Sequence, residues 1–541
     1  MRKIRLDLLS LNNILNVNDK IWKFCGDTNH GADAKMKKLI LIVVISISAV
    51  HLHAQTLFDK VWVQGGGVSF TSTFNGTNVT NAYLDTLFSP YFTAGNSNIC
   101  DKDGNLILIS DGYNIYNSQA TLIDNGDSIV PFEIMDKYGS SNLSQTSIFL
   151  PFANNQYYLI TPTASDTCII NNWGASSTYA PLDLMLYNII DMNANGGQGK
   201  VIKKSTPFLQ SAQLSKTGMM ACKHGNGEDW WLFKQGLLSN TVYKFLVSHD
   251  SIYNYGVQNF SAPMFNQFDQ SGQIMFSPEG DRFASTIRGN ESVFVADFDR
   301  CNGMLSNPKV YVTHPASCHD IFDTACYENF TQGLCFSPNG RFLYVSSYFN
   351  IKQLDLLDND TNTQWSLIHG LDTPWVNFNL YSSLYLGPNN KLYVGHYGSL
   401  SYAMSVINNP DVKGLGCNFC ELCLPFPKYG AADPPCMPNY HLGAAPVGGN
   451  CWPLGISETV SQANEISVYP NPSTGELNII ADKILADVWI RIVNITGETI
   501  LQREGLNGGR FTFDISSRPQ GIYFVEIKTD SEIKRMKLVK E

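Results

Sequence analysis

The chain has 541 residues, with 37 Lys+Arg against 47 Asp+Glu for a net charge of -10, and only 16% of its residues are charged, beside 43 Gly, 24 Pro and 12% aromatics. The acidic balance excludes the basic footprint of a nucleic-acid binder, and many aromatics at low charge exclude a disordered chain. The length leaves ample chain for a core and suggests two to four domains, or one large all-β domain with smaller additions.

The first element is residues 36–54. Met36-Lys37-Lys38 is a short basic start, Leu39 to Val50 is an apolar run of 12 residues, and Ala54 is a small residue at the expected cut. These are the three parts of a secretory signal peptide. Twelve residues fall short of the roughly 20 that a membrane-spanning helix needs, and no other window supplies a transmembrane span. A signal belongs at the start of translation, so Met36 is the expected start and 1–35 a leader assigned in error. The mature chain then begins near Gln55.

From 98 to 408, within a body of 55–452, one unit recurs: a polar turn, a β-prone run, a gap and a second β run. Phe276-Ser277-Pro278-Glu279-Gly280, Phe336-Ser337-Pro338-Asn339-Gly340 and Leu386-Gly387-Pro388-Asn389-Asn390 carry the turn most clearly. Proline fixes φ there, and Gly or Asn accepts φ > 0. The turn positions 104, 155, 227, 280, 340 and 390 are spaced by 51, 72, 53, 60 and 50 residues. Short strands at such a period indicate a β-propeller, so the fold class is all-β. Six units are visible, and a seventh is expected from 56–97 together with 425–451, giving seven blades.

Removing Cys25 with the leader leaves twelve cysteines, and in an exported chain disulfides are the default. Cys417-x2-Cys420-x2-Cys423, with Cys436 and Cys451 beyond, resembles part of an iron–sulfur or zinc site. No fourth Cys follows at the ferredoxin spacing, so disulfides are favoured, with free thiols and a metal as the alternatives. The pairing is open, and no cofactor or metal is expected. Asp101-x-Asp103-Gly104-Asn105 and Asp358-Asn359-Asp360-Thr361-Asn362 are faint calcium loops that do not complete an EF-hand. Among the histidines, His224 beside Asp229, together with His319 and His396, are candidates for a site in the propeller channel. The plainer alternative is that they cap turns. Trp230-Trp231 alternate on a strand, so at least one belongs to the core. No metalloprotease, α/β-hydrolase or nucleotide motif occurs, so no catalytic residue is assigned.

Residues 453–466 are a polar linker. Beyond it, Val468-Tyr469-Pro470-Asn471-Pro472-Ser473-Thr474-Gly475 precedes alternating runs at 488–493, 511–514 and 521–527 and a basic–hydrophobic end, the pattern of a small antiparallel β-sandwich. Residues 467–541 closely resemble the type A sorting domain of the type IX secretion system, the Por secretion tail. The resemblance rests on Tyr469, Pro470, Asn471, Pro472 and Gly475, on Gly497 in the Asn494-Ile495-Thr496-Gly497 turn, on Gly521 and Tyr523, and on Lys537 and Lys540. It implies a Gram-negative cell, recognition by the type IX translocon and sorting machinery, and release or surface attachment, usually with removal of the tail.

The body resembles an exported WD-like or YVTN-like propeller family. The resemblance is carried by Ile107-Leu108-Ile109-Ser110-Asp111-Gly112, Ile190-Asp191-Met192-Asn193-Ala194-Asn195-Gly196-Gly197, His224-Gly225-Asn226-Gly227-Glu228-Asp229-Trp230-Trp231 and Ile407-Asn408-Asn409-Pro410. It brings a scaffold and no activity. The expected function is binding of a glycan or protein ligand at the cell surface or outside the cell, with no catalysis. The alternative is an extracellular propeller-type hydrolase or lyase acting on glycans or lactones.

Overall fold

The computed structural model describes residues 57–66, 69–85, 91–92, 96–131, 145–172, 181–237, 240–261, 272–287, 292–312, 331–371, 380–445, 451, 466–529 and 533–541. The leader 1–35, the signal segment 36–54, His319 and the linker up to 465 lie outside the described residues. The chain divides into two compact units, one ending at Trp452 and the other beginning at Pro453.

Among the described residues of the first unit seven antiparallel sheets succeed one another along the chain. The first contains β1(Val61–Gly66), β2(Ser69–Asn75), β3(Asn78–Asp85) and β4(Tyr91–Phe92), ordered β3-β2-β1-β4. The second contains β5(Ser97–Cys100), β6(Leu106–Ser110) and β7(Ile115–Asn117). The third contains β8(Ile148–Phe152), β9(Gln156–Thr163), β10(Leu184–Asp191) and β11(Lys200–Leu209), and the fourth β12(Leu214–Lys223), β13(Trp230–Gly236), β14(Thr241–Val247) and β15(Ile252–Asn259). In the fifth are β16(Ile274–Phe276), β17(Arg282–Ile287), β18(Ser292–Asp299) and β19(Met304–Val312). The sixth has β20(Thr331–Phe336), β21(Phe342–Ser347), β22(Asn350–Asp355) and β23(Trp365–Gly370), and the seventh β24(Leu380–Leu386), β25(Leu392–Ile407) and β26(Phe419–Ala432). This is a seven-bladed propeller.

Burial explains why these runs became these strands. In the fourth blade β12 is buried up to its last residue and β13 throughout, whereas β15 alternates between half-buried and exposed. An inner strand meets neighbouring blades on both sides and so needs a continuous apolar run, while an outer strand needs only one apolar face. One apolar cluster links all the blades, from Trp62, Leu108 and Ile148 through Trp230 and Phe276 to Leu334 and Leu384.

The Ser-Pro-x-Gly turns join first to second strands. In the fifth blade Gly280 N–H donates to Ser277 O at 2.9 Å, and Ser277 Oγ accepts from the N–H groups of Asp281 and Arg282. Gly280 has φ +68°, which a side chain there would strain. Ser337 repeats the scheme, with Gly340 N–H donating to its carbonyl and Phe342 N–H to its hydroxyl.

Closure of the ring differs from a single blade shared by both chain ends. Residues 61–92 build a sheet of their own, and the two ends interlock by side chains instead. Asn81 Nδ2 donates to Pro425 O at 2.6 Å and Tyr83 Oη to Pro427 O at 3.0 Å. Two glutamines fill the channel. Gln145 exchanges a pair of bonds with the Ile274 backbone, while Gln273 Nε2 donates to Leu384 O and its Oε1 accepts from the N–H groups of Leu334 and Leu384. Backbone groups on the channel side of inner strands have no strand to pair with, and left bare each would cost roughly 1–3 kcal/mol.

The second unit is one bent antiparallel sheet folded into a sandwich. Its strands are β27(Ile466–Tyr469), β28(Glu476–Asn494), β29(Thr499–Asp514), β30(Gly521–Lys528) and β31(Ile533–Lys540). β28 is far longer than the 488–493 run suggests, because it continues through a register break between Ile480 and Val488. Its first half pairs with β27 and its second with β30. Leu477 and Ile479 from one half thereby share a core with Ile490, Ile492, Val525 and Leu538 from the other.

Candidate functional site

The repeat turns converge on one end of the channel, because each follows a first strand. There they surround a cavity of about 590 Å³ whose wall includes Trp62, Met275, Pro278, Pro338, Pro388 and Leu442. Its floor is made by a strap, residues 433–445, that runs on from β26 into the channel. Along the strap, Ser382 and Ser383 hydroxyls donate to Asp433, Cys436 N–H donates to Asn96 O, and Asn439 Nδ2 donates to Pro278 O. Tyr440 Oη donates to Phe149 O at 2.8 Å, and Ala445 N–H to Gly225 O at 2.9 Å. A disulfide between Cys301 and Cys451 anchors the chain beyond it.

The strap carries two ionisable groups, His441 in the cavity wall and Asp433 away from it. His441 Nε2–H donates to Asp59 Oδ2 at 2.8 Å, joining residues at opposite ends of the body. Burial pulls the His441 pKa down, but the hydrogen bond and charge of Asp59 outweigh it and hold the imidazole above its ordinary value. Burial pushes the Asp433 carboxyl up to about 6 despite its serine partners. Three buried polar atoms in residues of the cavity wall have no hydrogen-bond partner among the described residues: Trp62 Nε1, Asp59 Oδ1 and His441 Nδ1. Native proteins leave few such atoms bare.

Of the histidines singled out from sequence, His224 lies in the turn after β12. Its Nδ1 accepts from Asn226 N–H at 3.1 Å, so its Nε2–H donates to Cys301 O at 3.1 Å. Asp229 closes the same turn, accepting from Asn226 Nδ2 at 2.7 Å. His396 is 1% exposed within β25, where it meets Ser405 Oγ at 3.2 Å and the Tyr381 ring. It pairs with Tyr381, near the start of β24, while the cavity wall takes Tyr385 and Leu386 from the other end of that strand. The structure therefore does not bring His224 and His396 together.

Both Trp230 and Trp231 are buried, the first beneath Lys223 at 4.0 Å and the second donating to Arg300 O at 2.8 Å. Asp101 accepts from the backbone N–H groups of Asp103 and Asn105, as a turn-forming Asp does. Among the described residues one disulfide forms. Cys417, Cys420 and Cys423 remain thiols, as does Cys436, whose burial pushes it up to about 12. Sequence reasoning missed Asp59, His441 and Arg300, which no local motif marks.

In the second unit the motif residues sit where the chain end docks. Asn471 Nδ2 donates to Lys537 O at 2.7 Å, and its Oδ1 accepts from Val539 N–H at 2.8 Å. Tyr469-Pro470 and Asn471-Pro472 are both cis. Gly475, at φ +133°, lies so close to Ser516 that a Cβ would come within 2.3 Å of its Cα. Gly497 has φ +84° in a turn where Asn494 Oδ1 accepts from the N–H groups of Thr496 and Glu498. Gly521 opens β30, and two residues on Tyr523 is buried, its hydroxyl donating to Pro519 O at 2.7 Å. Lys537 is exposed and Lys540 buried. No helix among the described residues is long and apolar enough to cross a membrane.

Comparison with solved structures returns propellers. A candidate 6-phosphogluconolactonase from Bacteroides uniformis is 12% identical over 70% of this chain and 98% of its own, with a TM-score of 0.40. A protein from Lactobacillus plantarum is 13% identical over the same shares with the same score. The Dos1 propeller is 11% identical over 63% of this chain and 75% of its own, with a score of 0.32. No curated protein matches the sequence. Residues 467–541 match the family described as a secretion system C-terminal sorting domain, and through this type IX sorting tail the protein is secreted to the cell surface or beyond it.

Proposed function

We propose that the protein is a secreted, ligand-binding propeller. Segment 36–54 acts as the signal peptide for the inner membrane of a Gram-negative envelope, and the tail at 467–541 then engages the type IX translocon. The body, 55–452, holds a ligand in the cavity at the channel mouth. The observation that carries this reading is the cavity itself, about 590 Å³ of space at the repeat turns, lined by apolar side chains together with Arg300, Glu279 and His441. A cavity of that size suits a small molecule or the end of a longer ligand.

The test is a thermal-shift screen of the secreted protein against glycans, peptides and small organic acids, repeated on Leu442→Trp, which fills the cavity. The reading expects a hit that Leu442→Trp abolishes; a hit that survives the substitution places the ligand elsewhere and refutes it. The Asp59–His441 pair gives the lactone- or glycan-cleaving alternative one acid–base couple at the same cavity. Turnover of a bound lactone, lost in His441→Gln, would favour that alternative.

A further inference from the structure

We infer that the cavity recognises a ligand with a carboxylate head and an apolar body, an inference that rests on the reading of this cavity as the ligand site. Its first ground is Arg300, a half-buried residue in the cavity wall just beyond β18. Its Nε donates to Lys223 O at 2.8 Å, and its Nη2 donates to His224 O at 3.2 Å and to Gly443 O. Three carbonyls thus fix the plane of the guanidinium without neutralising it. No carboxylate among the described residues pairs with Arg300, and its Nη1 makes no bond there. Burial pulls its pKa below the ordinary arginine value. A held, partly desolvated guanidinium with one edge free is suited to a planar anion.

The second ground is independent of charge. Met220, Met275, Phe276 and Leu442 line the same cavity as an apolar wall beside the cation.

Glu279 decides which anion. Glu279 lines the same cavity and its charge already acts on Arg300, so a dianionic phosphate would face about twice the repulsion that a carboxylate does. Asp59 adds little, because His441 already pairs with it at 2.8 Å.

The experiment is calorimetric titration of the secreted protein with octanoate and 3-phenylpropionate, with their primary amides, and with octyl phosphate. Each acid should bind at least about tenfold more tightly than its amide, the worth of one charge-assisted hydrogen bond. Arg300→Met should erase that difference. Because Arg300 also holds the strap, Glu279→Gln serves as the second variant; Glu279 is exposed and its charge acts on Arg300, so removing it should tighten both acids and leave their amides unchanged. Equal binding of acid and amide, tighter binding of octyl phosphate, or no binding of either acid overturns the carboxylate assignment while leaving the cavity reading intact. Acid binding that persists unchanged in Leu442→Trp overturns the cavity reading itself.

Discussion

The two units differ in how far they tolerate buried charge without a counter-charge. The propeller body pairs some of it, as in Asp355 with Arg341 at 2.8 Å, but leaves other groups without a cation or anion: Asp433 faces two serine hydroxyls, and Lys234, fully buried, donates to Thr217 O with its pKa brought down to about 7 by burial. In the sorting domain Glu526 is gripped by Arg491, at 2.7 Å, and by Arg535. Burial alone would raise the Glu526 pKa, but the two arginines hold it below the usual carboxylate range. A seven-bladed ring has enough apolar core to carry weakly paired polar groups, whereas a module of 467–541 must tie its few strands together with charge.

The sharpest way to break that comparison is at the level of destination. Deleting 467–541 should stop the body in the periplasm, carried across the inner membrane but no further, as read by immunoblot of medium against periplasmic and cytoplasmic fractions; a body still found in the medium would show that the tail is dispensable. Next is Glu526→Ala, which removes the acceptor of two partly exposed arginines and should cost the sorting domain about 1–3 kcal/mol in urea unfolding while the body's transition stays put. Cys301→Ser opens a loop spanning 150 residues and should destabilise the body by about 2–4 kcal/mol. If reducing agent leaves the body's midpoint unchanged, the disulfide contributes nothing.

The smallest effect is the most diagnostic. Asp433 titrates in the fold at about 6 against about 3.9 unfolded, so the native state holds its proton longer. Stability is then lost as pH rises between those values. His441, raised in the fold, contributes stability below its unfolded pKa that is likewise lost as pH rises through its folded value. Lys234, lowered in the fold to about 7, works the other way, its cost easing as pH rises. The check is therefore differential: by calorimetry the body should lose on the order of 1 kcal/mol relative to Asp433→Asn between about pH 5 and pH 8. Glu526 has the opposite sign: its stabilisation is present above its unfolded pKa and lost as pH falls through its lowered folded value. The sorting domain should hold steady from pH 8 to 5 and weaken only in stronger acid.

What sequence made legible follows from range. The Ser277 and Ser337 turns are closed by bonds between residues three to five apart, so their residue types declare them. The Asn494–Gly497 turn and the docking of Asn471 belong to a motif already recognisable as a sorting tail. Asp59 and His441 are 382 residues apart, and Tyr440 and Phe149 are 291 apart; neither pair has a local signature, and Asn439-Tyr440-His441-Leu442 reads as an ordinary loop. The short β4, which adds to the far side of β1, is equally silent, since its two residues carry no periodicity. His224 stood out by composition yet serves its own turn.

The strap has a consequence for timing. It supplies contacts from residues beyond Asp433 to strands and turns laid down near Asp59, Asn96 and Phe149, so the ring has no complete channel until nearly the whole body has been synthesised. Contacts of such long range form slowly. On the route proposed through segment 36–54, a chain crossing the inner membrane unfolded would gain an interval in which to do so and would lock on the far side, where Cys301 and Cys451 can be oxidised.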